Sequence, residues 1–131
     1  MGAELKKILY VEDEPDIRDI AKLVLEKVGG YEVLAVEGGH EALDKIFEFN
    51  PDMVLLDAMM PEMDGPTTFK EIRKIPVYKK TPIAFLTAKL MESDIASFLE
   101  LGAIGVIAKP FDPMTLSNQV SDLWSEAKVS N

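Results

Sequence analysis

The sequence feature that most constrains the fold is a short apolar run, Met-Val-Leu-Leu at positions 53–56, which leads directly into Asp57. A continuous run of this length predicts a strand that is buried on both faces of a parallel sheet. Such a strand ends at the carboxyl edge of the sheet, where open α/β folds place their sites. The segment 58–65 contains Pro, Asp and Gly and is predicted to be a loop. Asp57 therefore either caps the next helix or belongs to a site, and the rest of the chain favours the site.

The rest of the chain alternates strand patterns with helical patterns. Four further apolar or β-branched runs predict strands at 7–11, 31–36, 82–87 and 105–108. A residue that can start or cap a helix follows each strand: Pro15 with Asp13 or Glu14 as cap, Gly38-Gly39, Pro66, Ser93, and Asp112-Pro113. Five strands that alternate with five helices predict a doubly wound α/β fold. Right-handed crossovers then leave one parallel sheet with helices on both faces.

The spacing of apolar residues also predicts which face of each helix packs on the sheet. The residues assigned to these inward faces are Ile17, Ile20, Ala21, Val24, Val28, Ala42, Leu43, Ile46, Phe47, Phe69, Ile72, Ile75, Ile95, Phe98, Leu99, Leu116, Val120, Leu123 and Ala127. Trp124 lies off the predicted stripe of the last helix, so we expect its ring to be partly exposed.

Length and composition exclude several classes of function. The 131 residues suffice for one domain with one sizeable core, and we expect residues 1–131 to form a single domain. No apolar run reaches the ~20 residues of a membrane span, and residues 1–7 lack the apolar core of a secretory signal. We therefore expect a cytoplasmic protein that does not contact a membrane. The net charge of −9 argues against nucleic acid as a direct ligand, and the absence of cysteine excludes thiolate metal sites.

Four of the five predicted strands end in polar residues, which are Glu12, Asp13, Asp57, Thr87 and Lys109. Because the carboxyl ends of parallel strands meet at one edge of a sheet, we expect all five residues to share one cleft. Two like charges ~4 Å apart repel by roughly 4 kcal/mol at an effective dielectric near 20. Three carboxylates in one cleft must therefore bind protons or a cation. Oxygen ligands without Cys or a nearby His favour a hard cation, with Mg²⁺ first among the candidates.

A carboxylate, a hard cation, a lysine and a hydroxyl are the groups that phosphoryl transfer requires. The carboxylate attacks phosphorus, while the cation and the lysine neutralise charge on the phosphoryl oxygens. Other α/β chemistries lack their motifs here: the sequence has neither the glycine-rich dinucleotide fingerprint after the first strand nor a P-loop. A haloacid-dehalogenase-type phosphatase would need an aspartate where Met59 stands.

Four motifs at these positions together resemble the response-regulator receiver family. They are Val-Glu-Asp-Glu at 11–14, Leu-Leu-Asp with Met-Pro-x-Met-Asp-Gly at 55–65, Leu-Thr-Ala at 86–88 and Ala-Lys-Pro-Phe at 108–111. The resemblance extends from about residue 7 to about residue 128 and is greatest to small stand-alone regulators of the chemotaxis type. It implies a flavodoxin-like fold with the strand order 2-1-3-4-5.

The resemblance also implies a function. The domain would accept a phosphoryl group on Asp57 from the phosphohistidine of a histidine kinase or phosphotransfer protein, and would relay a conformational change to a protein partner. Thr87 and Lys109 would hold the phosphoryl oxygens. Such a domain catalyses its own phosphorylation and dephosphorylation but serves primarily as a signalling switch. The alternative is a receiver-like interaction scaffold that is never phosphorylated.

The cofactor that the resemblance implies is Mg²⁺. Its ligands would be the side chains of Asp13 and Asp57 and the backbone carbonyl of Met59, while Glu12 would act through a bound water. The resemblance further predicts a cis peptide bond between Lys109 and Pro110.

The sequence departs from the family at Val106, where the family usually has Tyr or Phe. Valine is short and stiff at χ1, so an aromatic rotamer switch is not available here. We expect the output to depend instead on the loop 88–92 and the start of the fourth helix. The surface formed by the fourth helix, the fifth strand and the fifth helix is the partner face that the resemblance implies.

Two other features of the sequence have a structural explanation as well as a functional one. His40 lies in His-Glu-Ala-Leu-Asp, which is not a zinc motif, so we expect a solvated surface histidine. Met59, Met60 and Met63 form either an adaptable partner surface or ordinary loop packing, and the sequence leaves both open.

Overall fold

One parallel sheet of five strands, in the order β2-β1-β3-β4-β5, organises the computed structural model, which describes residues 4–130 and side chains through residue 128. The strands are β1 (Lys7–Val11), β2 (Glu32–Val36), β3 (Met53–Asp57), β4 (Ile83–Thr87) and β5 (Gly105–Ala108). The helices are α1 (Pro15–Lys27), α2 (Gly39–Phe49), α3 (Gly65–Arg73), α4 (Glu92–Leu101) and α5 (Leu116–Ser130), with a 3₁₀ turn at Pro76–Tyr78. The predicted doubly wound α/β fold and its strand order are confirmed.

The sheet separates two apolar cores because successive side chains of a strand point to opposite faces. In β3, Val54 and Leu56 face the first core, which lies against α2, α3 and α4. Met53 and Leu55 face the second core, which lies against α1 and α5. Every residue of β3 and of β4 is buried. The two central strands therefore form a fixed base, and Asp57 lies at its carboxyl end.

The inward faces of α1 and α4 differ from the predicted stripes. In α1 the buried residues are Ala21 and Leu25, whereas Ile20 is exposed, as is Val28 at the cap position after the helix. Leu99 of α4 is also exposed. Spacings of three and four fit two adjacent stripes of a helix equally well, so the sequence does not decide which stripe faces the sheet.

Two aromatic rings also lie where the helical spacing did not place them. Phe47 of α2 was predicted to face inward but is 62% exposed and packs at the surface against Tyr78, with ring centroids 5.6 Å apart. Trp124 was predicted to be partly exposed but is buried in the second core. The spacing of four from Leu116 through Val120 to Trp124 is the buried stripe of α5.

The predicted caps were partly wrong. α4 begins at Glu92 with Met91 at its cap position, so Ser93 is not its cap. The side chain of Glu14, at the cap position of α1, makes no capping hydrogen bond. Asp112 and Pro113 do not cap and start α5, which begins at Leu116. Asp112 instead belongs to a turn before the helix, in which its Oδ1 accepts from the backbone N of Met114 at 2.9 Å. Among residues 4–130, no helix combines the length and apolar character that a membrane span needs.

Candidate functional site

The structure brings together the five polar residues that end the strands, Glu12, Asp13, Asp57, Thr87 and Lys109, here called the edge cluster. One carboxylate oxygen from each of Glu12, Asp13 and Asp57 lies within 4.8 Å of the others. Lys109 Nζ lies 3.1 Å from Glu12 Oε1 and 3.3 Å from Asp57 Oδ2. Thr87 is the last residue of β4, the strand that pairs with β3. The predicted shared cleft therefore exists.

Asp57 is a buried carboxylate, and the backbone that follows it packs closely against the start of α3. The backbone N of Gly65 donates to the carbonyl of Ala58 at 3.0 Å. A Cβ at Gly65 would lie 2.5 Å from the carbonyl oxygen of Asp57, so glycine is required for this close approach. Asp64 caps α3 through Oδ1, which accepts from Thr67 N at 2.9 Å. Asp57 thus ends a strand and does not cap the helix that follows.

The pKa of Asp57 is raised well above its ordinary value. Burial is the largest cause, followed by the hydrogen bond and the negative charge of Glu12. Lys109 and the backbone N–H of Met59, 3.3 Å from Asp57 Oδ1, act in the opposite direction. The surroundings of Asp57 therefore disfavour its ionised form, and a bound cation would favour that form again.

Glu12 is fully buried, and its carboxylate accepts hydrogen bonds from three donors. The hydroxyl of Tyr10 donates to Oε1 at 3.0 Å, and Lys109 Nζ donates to Oε1 at 3.1 Å and to Oε2 at 3.3 Å. The backbone N of Glu14 donates to Oε2 at 3.3 Å. Among the described residues, no buried side-chain polar atom is left without a partner. The buried carboxylate is therefore fully compensated by donors.

Tyr10 was not predicted to take part in the site. It is a fully buried residue of β1, and alternation along the strand puts its ring on the same face as Glu12, two residues later. Burial, with the charge and hydrogen bond of Glu12, raises the pKa of its phenol, so the hydroxyl stays protonated and donates. The sequence did contain an indication of this role, because Tyr10 is a tyrosine in an otherwise aliphatic run and lies two positions before Glu12. Arg18 was missed as well, and its guanidinium donates to the backbone carbonyl of Glu12 at 2.9 Å.

Lys109 connects the two buried carboxylates. Although burial lowers the pKa of its ammonium, the contacts with Glu12 and Asp57 outweigh burial and raise it above the usual value. The lysine is therefore charged at neutral pH. The peptide bond between Lys109 and Pro110 is cis, as predicted.

Thr87 and Met59 lie at the rim of the same edge. The hydroxyl oxygen of Thr87 is buried and accepts a hydrogen bond from the backbone N of Lys89 at 3.0 Å, so its proton remains available for donation. Met59 is 62% exposed, whereas Met60 is buried and Met63 is half-buried. The methionines of this loop therefore divide between a surface position and packing. His40 is exposed, as predicted.

The chemistry of the edge cluster fits a hard divalent cation. The three carboxylates supply oxygen atoms within 4.8 Å of one another, and oxygen is the ligand that Mg²⁺ and Mn²⁺ prefer. A cation there would offset the repulsion between carboxylates that burial amplifies.

Comparison with known proteins agrees with this geometry. Residues 8–121 match the sequence model of the response regulator receiver domain. The chain belongs to the response-regulator receiver family. It is a receiver domain of the kind used in two-component signalling, and the predicted resemblance is confirmed.

Solved structures of other receiver domains superimpose on nearly the whole chain. The chemotaxis response regulator CheY4 of Vibrio cholerae is 33% identical, with a TM-score of 0.84 over 92% of this chain and 99% of that one. The signal receiver domain of a histidine kinase from Syntrophus aciditrophicus is 33% identical, with a TM-score of 0.79 over 92% of this chain and 91% of that one. The response regulator Rcp1, solved in a Mn²⁺-bound form, is 26% identical, with a TM-score of 0.72 over 92% of each chain.

Proposed function

We propose that this receiver domain accepts a phosphoryl group on Asp57 from the phosphohistidine of a histidine kinase or phosphotransfer protein, with Mg²⁺ as its cofactor. The observation that carries the proposal is the environment of Asp57, a buried carboxylate that pairs with Lys109 and shares a cleft with two further carboxylates. A carboxylate with only a structural role would not require a buried lysine and two further carboxylates beside it. The complete edge cluster favours this function over a receiver-like scaffold that is never phosphorylated.

The reaction follows from the side chains present. A carboxylate oxygen of Asp57 attacks the phosphorus atom, a P–O bond forms, the P–N bond to the donor imidazole breaks, and the bonding electron pair stays on the nitrogen. The ammonium of Lys109 leaves Glu12 and binds a phosphoryl oxygen, and the hydroxyl of Thr87 donates to another. Asp57 and Lys109 already lie 3.3 Å apart, so this rearrangement is short.

The proposal assigns the cation to Asp13, Asp57 and the backbone carbonyl of Met59, with Glu12 acting through a water. When bound, Mg²⁺ supplies positive charge that neutralises the phosphoryl oxygens during transfer. We further propose that residues 1–131 act as one domain in the cytoplasm. The domain would act on a protein partner and would not bind nucleic acid directly. The net charge of −9 supports the last point, because nucleic-acid binding needs excess positive charge.

The test is phosphorylation by a small donor. The purified protein is incubated with phosphoramidate or acetyl phosphate, with Mg²⁺ or with EDTA, and its intact mass is measured. We expect the mass of one phosphoryl group to be gained with Mg²⁺ and not with EDTA, and Asp57→Asn to abolish the gain. Asp52→Asn is the matched control, because Asp52 binds the backbone N of Lys7 at 2.9 Å, before the start of β3 and away from its carboxyl end. Equal labelling of Asp57→Asn and the wild type would refute the assignment.

A further inference from the structure

Tyr10 connects the interior of the second core to the edge cluster. Its ring is fully buried, and its hydroxyl donates to Glu12 Oε1 at 3.0 Å. The ring is packed in the second core, and a tyrosine side chain has few rotatable bonds, so the position of the hydroxyl is fixed. A hydrogen bond from such a rigid donor orients the carboxylate that receives it.

The other side-chain donor to Glu12 has a competing partner. Lys109 Nζ reaches both oxygens of Glu12 and also pairs with Asp57 at 3.3 Å. In the proposed function Lys109 must move to the phosphoryl group, and Glu12 then loses two of its hydrogen bonds. The hydroxyl of Tyr10 has no part in that exchange and continues to hold Oε1. The backbone of Glu12 is fixed separately, because Arg18 donates to its carbonyl at 2.9 Å.

We propose that Tyr10 is a positioning residue whose hydroxyl keeps the Glu12 carboxylate oriented toward the water through which it would act on the divalent cation, while Lys109 exchanges between Glu12 and the phosphoryl group. The inference rests on the proposed function for the identity of that exchange. Without the hydroxyl, Oε1 of Glu12 would keep only Lys109 as a donor, and the one donor outside the exchange would be the backbone N of Glu14, which binds Oε2. Removal of a group that orients a metal-site residue through a hydrogen bond typically lowers the affinity for the metal roughly 10- to 100-fold.

The test is Tyr10→Phe, which keeps the ring and removes the hydroxyl. The matched control is Tyr78→Phe. Tyr78 is also buried, and its hydroxyl donates to the carbonyl of Ile46 at 3.0 Å and to Asn50 Oδ1 at 3.2 Å, on a side of the fold remote from the edge cluster. The dissociation constants of Mg²⁺ and Mn²⁺ are measured by calorimetry on the unphosphorylated proteins. We expect Tyr10→Phe to raise both constants about tenfold and Tyr78→Phe to leave them within twofold of the wild type.

A second measurement separates positioning from a general loss of structure. The Mg²⁺ concentration that half-saturates phosphorylation by phosphoramidate should rise in Tyr10→Phe, while the rate at saturating Mg²⁺ stays near that of the wild type. In a Glu12→Ala background, Tyr10→Phe should produce no further loss of metal affinity, because the carboxylate that it orients is gone.

Unchanged dissociation constants in Tyr10→Phe, or an equal rise in Tyr78→Phe, would overturn the inference. So would a further loss in the Glu12→Ala background. If the wild type binds Mn²⁺ but takes no phosphoryl group, the proposed function fails, and the dissociation constants still decide the role of Tyr10. A wild type that binds neither cation would overturn the inference together with the metal assignment.

Discussion

Asp57→Asn should stabilise the metal-free protein at neutral and alkaline pH, because it removes a buried charge. The pKa of Asp57 is raised from the ordinary value of 3.8 to about 7, chiefly by burial and then by Glu12. The folded protein therefore binds this proton more tightly than the unfolded chain does. Between these two pKa values the unfolding free energy must fall as pH rises, since the folded state holds the extra proton.

The size of the effect follows from the same two values. Each tenfold change in proton affinity corresponds to ~1.4 kcal/mol, so the full interval amounts to about 4 kcal/mol. Most of the decrease lies in an accessible range, and we expect about 3 kcal/mol to be lost between pH 5 and pH 8. Asparagine has nearly the same shape and carries no charge, so this part of the pH dependence should disappear in Asp57→Asn.

The assay is urea unfolding in EDTA at four pH values from 5 to 8, for the wild type, Asp57→Asn and the control Asp52→Asn. We expect the free energy of unfolding of the wild type and the control to fall with pH, and that of Asp57→Asn to change much less. Excess Mg²⁺ should recover stability in the wild type and have a smaller effect in Asp57→Asn. A wild-type stability that is flat or rises over this range would show that burial of Asp57 does not disfavour its charge.

Three further predictions concern the metal, the backbone and the output. Asp13→Ala should weaken Mg²⁺ binding about tenfold more than Glu12→Ala does, because a direct ligand contributes more to affinity than a carboxylate acting through water. Equal losses of affinity in calorimetry would contradict the assignment. Gly65→Ala should destabilise the protein by ~2 kcal/mol in urea unfolding, because its Cβ would lie 2.5 Å from a backbone oxygen. Gly38→Ala, whose Cβ would have no neighbour within 4 Å, is the control, and an equal loss there would refute the steric explanation. Val106→Tyr should enlarge the amide chemical-shift changes that a beryllofluoride mimic of the phosphoryl group induces, because it places on β5 the aromatic side chain that the family usually has. Loss of these shift changes in Val106→Ala would instead make Val106 itself the switch.

The sequence predicted the sheet and the site better than it predicted the helix faces. The strands β1, β3 and β5 have the predicted bounds, and each ends at or next to a polar residue of the edge cluster. Parallel topology then sufficed to place Asp57 and Lys109 in one cleft. The burial of Trp124 and the exposure of Phe47 depend on how each helix rotates against the sheet, and a spacing of three and four residues does not fix that rotation.

Contacts between side chains were the least predictable part of the site. The lysine was expected beside the carboxylates, but its pairing with Glu12 as well as Asp57 depends on the burial of both. The hydrogen bond from Tyr10 to Glu12 depends on the reach of a phenol along a strand. Strand alternation could have suggested that contact, but the distance of 3.0 Å required the three-dimensional structure.

The most direct test of the central claim locates the phosphoryl group on the chain. An acyl phosphate of aspartate is reduced by borohydride to an alcohol, whereas a free carboxylate is not. The protein is treated with phosphoramidate and Mg²⁺, reduced, digested and sequenced by mass spectrometry. The account predicts conversion of the side chain at Asp57, dependent on both the donor and Mg²⁺. Conversion at Asp13 or Asp64 instead, or none in protein that binds Mg²⁺, would contradict it.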